Sequence, residues 1–290
     1  MQDARVVLIT GASAGIGAAI ACRLARDGYR VFGTTRRLEN LANSPPELLA
    51  AAATEAAPLQ PASGRYPIRM LELDVTDQGS VDRCVARVLA EASRIDVLVN
   101  NAGWNAFGPL EEFPVAKAEE LFQTIYFGAL RMMRAVTPGM RLRGAGLILN
   151  ISSIAARAVI PFQVHYSAAK AALNSLSFGL YQQLRPFGVR VVSLEPSDIR
   201  TRTNEVTVFG QVADSPYKPW TDRCWRTIEE NMAKAPDPAL VAAKVSRIMR
   251  ARRPKPLYTC GSFLQRIAPG VFRFLPKSLE LWLTRVFYGL

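Results

Sequence analysis

The sequence predicts an α/β protein, a single domain built on a doubly wound parallel sheet with helices on both faces. Three observations predict it. Short apolar runs, of the kind that a strand buried on both faces requires, alternate with longer segments of helical periodicity. Each run ends in small or polar residues, which gathers those residues at one edge of a parallel sheet, where such sheets bind ligands. The first run also passes straight into a glycine-rich turn and the start of a helix.

The first strand is Arg5 to Thr10, followed by Gly11-Ala12-Ser13-Ala14-Gly15-Ile16-Gly17 and a helix from Ala18 to Arg26 that Gly28 closes. In this order the glycines let the backbone pass close to a pyrophosphate, and the free N–H groups at the helix start hold its charge. Three glycines alone mark only a turn. The spacing here is G-x-x-x-G-x-G and not G-x-G-x-x-G, so the placement between strand and helix carries the reading. Ser13 is a phosphate contact or a cap for the turn. The second strand, Arg30 to Thr34, should end beside an adenosine ribose, where an acid would bind the 2′-hydroxyl of NAD. The chain has Thr34-Thr35-Arg36-Arg37 instead. The planar fork of Arg36 suits a 2′-phosphate, which points to NADP(H), against the plainer reading of a solvated arginine pair.

Residues from about Asn43 to Pro67 are rich in alanine, proline and serine and read as an extended surface excursion. The third strand, Ile68 to Leu73, ends in Asp74, either a contact to the nucleoside or an ordinary acid at a strand end. A helix from Ser80 to Ala92 leads to the fourth strand, Val97-Leu98-Val99, which ends in Asn100-Asn101-Ala102-Gly103. A long helix from about Val115 to Arg141 returns to the fifth strand, Leu147 to Ile151, whose end delivers Ser152 and Ser153. The sixth strand, Val189 to Leu194, runs into Glu195-Pro196-Ser197-Asp198-Ile199-Arg200-Thr201.

The chemistry-bearing stretch is Tyr166-Ser167-Ala168-Ala169-Lys170. In a helix, residues four apart share a face, so an ammonium stands beside a phenol and favours its ionised form. Ser153, from the loop after the fifth strand, can donate a hydrogen bond to the same substrate oxygen. A tyrosine and a lysine at this spacing are more often an aromatic and a solvated lysine on one helix; the surrounding elements give the pair its meaning. His165, the sole histidine, is adjacent to Tyr166 and faces elsewhere, so it reads as a loop or cleft-wall residue.

Composition bounds the rest. The 290 residues are 49% hydrophobic and 21% charged, enough for a sizeable core. The formal charge of +12 raises nucleic acid or an anionic surface, but the basic residues are dispersed, so no nucleic-acid partner is expected. The four cysteines are widely separated and show no metal-ligand spacing; neither a metal nor a disulfide framework is expected. No basic leader and no apolar stretch of about 18 residues is present, which predicts a cytoplasmic protein that does not span a membrane.

With these residues in place, the chain from Arg5 to about Gly261 resembles the short-chain dehydrogenase/reductase family, and most closely its hydroxysteroid and retinol dehydrogenase branch. The matching pieces are Thr10 to Gly17, Asp74, Asn100-Asn101-Ala102-Gly103, Ser153, Tyr166 with Lys170, and Pro196 followed by Thr201. The resemblance implies residues 1–261 as a Rossmann-type NADP-binding catalytic domain, and a catalytic Ser153, Tyr166 and Lys170. It implies cofactor contacts from Gly11, Ser13, Gly15, Ile16, Gly17, Arg36, Asp74, Asn101, Tyr166, Lys170 and Thr201, with Asn100 supporting the adenine-ribose region and Lys170 lowering the Tyr166 pKa. Two departures stand out. Ile125 occupies the place where the family carries an asparagine that fixes a turn and a water of the proton relay, with Tyr126 next to it, and Ser197 replaces the glycine after Pro196.

The expected activity is NADP(H)-dependent interconversion of a secondary alcohol and a ketone on a lipophilic substrate. Alternatives are non-redox chemistry by an enzyme of the same family, and a catalytically silent nucleotide-binding sensor, against which the intact Ser153, Tyr166 and Lys170 argue. The segment from about 201 to 235, with Val206, Val208, Phe209, Tyr217, Trp220 and Trp225, reads as an apolar mobile lid or as aromatics packing the domain edge. Residues 262–290 form an apolar carboxyl-terminal extension of helical character. It is expected to pack against the core or a second subunit, to touch a membrane surface, or to cover the substrate entrance, and a homo-oligomer is expected.

Overall fold

The structure, a computed structural model, describes residues 4–53, 66–201, 206–262, 265, 270–272 and 274–290. Its strands in chain order are β1 (Val6–Ile9), β2 (Arg30–Thr35), β3 (Ala52–Ala53), β4 (Ile68–Glu72), β5 (Val97–Asn100), β6 (Ala106–Phe107), β7 (Gly146–Ile151), β8 (Val189–Pro196), β9 (Val208–Phe209) and β10 (Leu257–Cys260). All but β6 and β9 join one parallel sheet in the order β10-β8-β7-β5-β1-β2-β4-β3, while β6 and β9 pair separately. From β1 the chain winds outward through β2 to β4, then returns to β5 and winds the other way. The crevice at this reversal, beyond the carboxyl ends of the strands, is where the site residues gather.

The continuous apolar runs follow from burial on both faces. Val6 and Leu8 of β1 join one core cluster, Val7 and Ile9 the other, as the two-residue period of a strand dictates. The first cluster is closed by α3 (Gln78–Ala92), α5 (Gly128–Leu142) and α6 (Val164–Leu184), through residues such as Val85, Met132 and Leu173. The second is closed by α1 (Gly15–Arg26) and α8 (Ala239–Arg250), through Ile20, Leu24, Val241 and Val245. Helices α2 (Pro46–Ala51), α4 (Val115–Phe122), α7 (Lys218–Lys234) and α9 (Lys277–Phe287) complete the described set.

Three expectations are revised. The excursion from Asn43 to Pro67 is not irregular throughout, since α2 and the two-residue β3 extend the sheet edge beside β4; residues 54–65 lie outside the described part. The expected Val115 to Arg141 helix is interrupted at Gln123–Phe127 by a π turn between α4 and α5. The third is β10, a strand the sequence reading did not predict. Its run Leu257-Tyr258-Thr259-Cys260 is short and only half-buried, so it lacks the apolar signature of the inner strands.

Buried polar bonds tie α6 to the sheet. Asn100 of β5 donates to Asn150 of β7 at 2.8 Å, and Asn150 donates to Ser177 of α6 at 2.8 Å. On β8, Glu195 is fully buried; Asn174 Nδ2 of α6 donates to its Oε1 at 2.8 Å, and Arg157 Nε donates to Oε2 at 2.9 Å. Removing the cation strands a buried carboxylate, so Arg157→Ala should cost about 3 kcal/mol in urea denaturation. Arg157→Ala combined with Glu195→Gln should recover most of that loss, because the remaining amide needs no counter-charge.

Candidate active site

The cleft at the carboxyl edge of the sheet has a volume of about 1710 Å³ and receives residues from nearly every strand end. At one end lies the glycine turn. Gly15 has φ +54°, a left-handed conformation that side chains disfavour. Gly17 sits under the turn, where an added Cβ would lie 2.2 Å from the Gly11 carbonyl oxygen and 2.5 Å from Asn101 Nδ2. Helix α1 begins at Gly15, three residues earlier than its periodicity suggested, and its cap residue Ala14 offers no side chain to the first-turn N–H groups. Those donors, with Ser13 and Ile16 along the wall, form an anion cradle of the shape a pyrophosphate requires. Ser13 does not cap α1.

Further along, Arg36 is exposed at the end of β2 and lines the cleft; Arg37 does not. Asp74 lines it too, with Oδ1 accepting from the Thr76 backbone N–H and hydroxyl, both at 2.8 Å. Thr201 faces Gly15 across the opening. Asn101 spends its amide bracing the loop, Nδ2 donating to the carbonyls of Thr10 at 3.0 Å and Gly11 at 2.9 Å. Asn100 departs from expectation: it is buried behind the cleft in the bonds to Asn150, and does not reach the nucleoside region.

At the inner end stand Ser153, Tyr166 and Lys170, together as expected. Ser153 accepts from the Ala155 N–H at 3.1 Å, and its hydroxyl beside Tyr166 favours the ionised phenol. Lys170 Nζ is buried, 5.7 Å from the centre of the Tyr166 ring, and donates to the Ile151 carbonyl at 2.8 Å. The expected depression of the tyrosine by this lysine is not found. Burial dominates, pushing the phenol up to about 12 against the lowering by Ser153, while the Asp198 charge adds to the rise. Burial also lowers Lys170 to about 8.

Asp198, just beyond β8, was not among the expected site residues. It lines the cleft beside Tyr166 and accepts a hydrogen bond from Gln265. Burial raises its carboxyl above the usual range and the Gln265 bond opposes this. Its signal in the sequence was position alone, an acid following a strand end at the ligand-binding edge. His165 turns away onto Phe113, with ring centres 4.9 Å apart.

Ile125 is confirmed inside the π turn, buried against Gly103, with no polar atom to hold a water. The turn is secured by other groups. Trp104 Nε1 donates to Thr124 Oγ1 at 3.3 Å, and Arg131 Nη2 donates to Gln123 Oε1 at 2.8 Å across it.

The outer wall comes from the segment after Thr201, whose residues 202–205 lie outside the described part. Val206, Val208, Ile228 and Met232 line the cleft. The aromatics mostly pack behind them: Trp225 meets Phe107 at 5.0 Å and Phe209 at 4.7 Å, Tyr217 approaches Phe162 at 6.4 Å, and Trp220 is exposed. Of the carboxyl-terminal apolar run, Phe263, Leu264 and Ile267 are not described. Tyr288 joins the Phe107 cluster, whereas Phe274, Leu281, Trp282 and Phe287 are exposed. No helix of the described residues is long and apolar enough to cross a membrane.

This arrangement agrees with what the chain resembles among known proteins. A family profile described as short chain dehydrogenase matches residues 5–208. The chain is 30% identical to a 3-ketodihydrosphingosine reductase of Bacteroides thetaiotaomicron, covering 99% of this chain and 98% of that one. It is 36% identical to the 17-beta-hydroxysteroid dehydrogenase type 1 of Mus musculus, over 87% of this chain and 72% of that one. A solved Burkholderia cenocepacia short chain dehydrogenase in complex with NADP superposes with a TM-score of 0.70 at 26% identity, covering 98% of this chain and 99% of that one. The protein belongs to the short-chain dehydrogenase family of oxidoreductases, whose members work with nicotinamide cofactors.

The buried lysine gives a pH signature. Its folded pKa of about 8 lies below the ordinary 10.5, so between those values the unfolded chain binds more protons and the native state gains stability as pH rises. Below about pH 8 the penalty for burying the charge is present in full. Relative to a Lys170→Met variant, the protein should gain about 2–3 kcal/mol between pH 8 and 10.5, measured by urea denaturation across that range.

Proposed function

We propose that this protein interconverts a ketone and a secondary alcohol on a lipophilic substrate with NADP(H), Tyr166 serving as general acid in the reductive direction. The observation that carries this reading is Tyr166, with Ser153 beside it and backed by Lys170, at the inner end of a cleft whose other end is the glycine cradle. The glycine turn and Arg36 would hold the cofactor, which when bound would supply the hydride for reduction and take it up in oxidation. The residues of the chain manage the oxygen.

Ser153 and Tyr166 would grip the carbonyl oxygen together. A phenol near 12 stays protonated at neutral pH, and an alkoxide is a far stronger base, so the proton moves from Tyr166 to the forming alcohol. The phenolate left behind forms beside the Lys170 ammonium, held by the Ile151 carbonyl. Its cost is thereby reduced at the moment it appears. With Ile125 in the π turn, the proton returns to Tyr166 by a route that uses no side chain at that position.

Arg36 supports NADP(H) over NAD(H), since its exposed guanidinium and no carboxylate ends β2 at the cleft. A solved relative of this chain carries NADP. A lipophilic substrate is supported by the wall of Val206, Val208, Ile228 and Met232 and by relatives named for a hydroxysteroid and for 3-ketodihydrosphingosine.

Tyr166→Phe should lower kcat for ketone reduction by about 10²–10⁴-fold with little change in cofactor affinity, read from steady-state rates and fluorescence titration of NADPH. Near-full turnover would overturn the acid assignment. Arg36→Ala should shift the ratio of kcat/KM for NADPH over NADH about tenfold or more toward NADH. An unchanged ratio would remove Arg36 as the phosphate contact.

A further inference from the structure

Gln163 takes no part in the reduction chemistry, yet it lines the cleft. It is the last residue before α6 and is only 4% exposed. Its carbonyl accepts from the Ser167 N–H at 2.9 Å, so it already belongs to the first turn of the helix. Tyr166 stands three residues further on and Lys170 seven, the spacing of a single helical face, and all three line the cleft. Tyr166 therefore has Lys170 on one side and Gln163 on the other. Among the described residues neither Oε1 nor Nε2 of Gln163 has a hydrogen-bond partner, and the side chain does not cap the helix.

A second amide comes to the same end of the cleft. The Gly108 N–H donates to the Phe162 carbonyl at 2.8 Å, and the Phe107 and Phe162 rings lie 5.8 Å apart. The segment that contains β6 is thereby laid against the residue before Gln163. Asn105, at the start of that segment, is 6% exposed and lines the cleft. Its Oδ1 accepts from the Ala106 N–H at 2.9 Å, which fixes the amide; among the described residues its Nδ2 has no partner. The open group of Asn105 is thus a donor, and Gln163, held by nothing, is free to turn its own Nε2 toward a shared acceptor.

Water serves such groups in an open cleft, but a substrate that fills the cleft expels it. Two buried amides would then be left unpaired, which is costly unless the substrate itself brings the partner. We propose that it does: Gln163, with Asn105, binds a second carbonyl oxygen beside the reacting one, so that the substrate is a long-chain β-dicarbonyl compound, a β-oxo ester, thioester or amide. The inference rests on the alcohol–ketone reading and specifies its substrate. A carbonyl oxygen is an acceptor only and has two lone pairs, which suits two donors. A hydroxyl also accepts, but it brings a proton of its own that must be placed. Donors on the second carbonyl also strengthen its pull on the electrons of the neighbouring carbons, which makes the ketone easier to reduce. The Val208 N–H donates to the Asn105 carbonyl at 2.9 Å, so the apolar wall of Val208, Ile228 and Met232 begins where the amides end and receives the rest of the chain.

The test uses the full-length enzyme with NADPH and three matched substrates: the methyl ester of a twelve-carbon β-oxo acid, the ketone with a hydroxyl in place of the ester group, and the unsubstituted ketone. A β-oxo ester is intrinsically the easiest of these to reduce, so the quantity read is the change caused by Gln163→Leu, which keeps the volume and removes the amide. The ratio of kcat/KM for the ester over that for the unsubstituted ketone should fall about tenfold, and the hydroxy ketone should change less. An unchanged ratio overturns the subsite and leaves the alcohol–ketone reading standing. A fall as large for the hydroxy ketone as for the ester overturns the β-dicarbonyl class.

Since the Gln163 side chain bonds to nothing in the fold, Gln163→Leu should keep or raise the urea midpoint. A lower midpoint would make the amide a structural group and overturn the proposal. Calorimetric titration of the NADP⁺-loaded enzyme with the matching β-hydroxy ester and with the plain alcohol reads the site without turnover. Tighter binding of the hydroxy ester that is lost in Gln163→Leu, with no ketone reduced, would retain the subsite and overturn the redox reading.

Discussion

The helix that carries Tyr166 and Lys170 is bonded to the sheet, not merely packed on it. Lys170 Nζ reaches the Ile151 carbonyl, Asn174 reaches Glu195, and Ser177 receives Asn150, so α6 is fixed to β7 and β8 along about two turns. These bonds are buried, where a lost partner costs more than in water. Alternative rotations or slips of α6 would leave several polar groups unsatisfied together, so the phenol is held in one place against the end of β7. The same strand ends deliver Ser153, and the geometry of the site follows from that single docking.

Burial has an electrostatic side. The cleft raises Tyr166 and lowers Lys170, both shifts dominated by desolvation. Adjacency on a helix suggests that a lysine activates a tyrosine, but adjacency does not say where the ammonium is spent. Here it donates to a main-chain carbonyl, and the phenol remains a protonated donor.

The inner strands, the glycine turn and the triad were legible because each depends on a local pattern. A strand buried on both faces must be apolar throughout, as β1 is, and a phosphate cradle needs glycine where Gly15 and Gly17 stand. What escaped the sequence depended on partners distant in the chain. Strand β10 has an ordinary composition and is defined only by its pairing with β8. The π turn is held by Trp104 and Arg131, which no periodicity within the helix reveals. Asn100 and Asn101 look alike in sequence, yet the one that ends β5 turns to Asn150 and the other, just past the strand, turns to the glycine loop. Asp198 escaped for a similar reason: its partner Gln265 is distant in the chain.

The family profile ends at residue 208, and Gln265, which orients Asp198, comes well after it. Tyr288, from the last turn of the chain, completes the wall behind the same carboxylate. Ser153, Tyr166 and Lys170 and the groups that surround Asp198 therefore come from different parts of the polypeptide. Changes in the carboxyl-terminal part can redraw the inner end of the cleft while those three residues remain untouched. A division of this kind lets a lineage reshape the cleft without first dismantling the docking of α6 on the sheet.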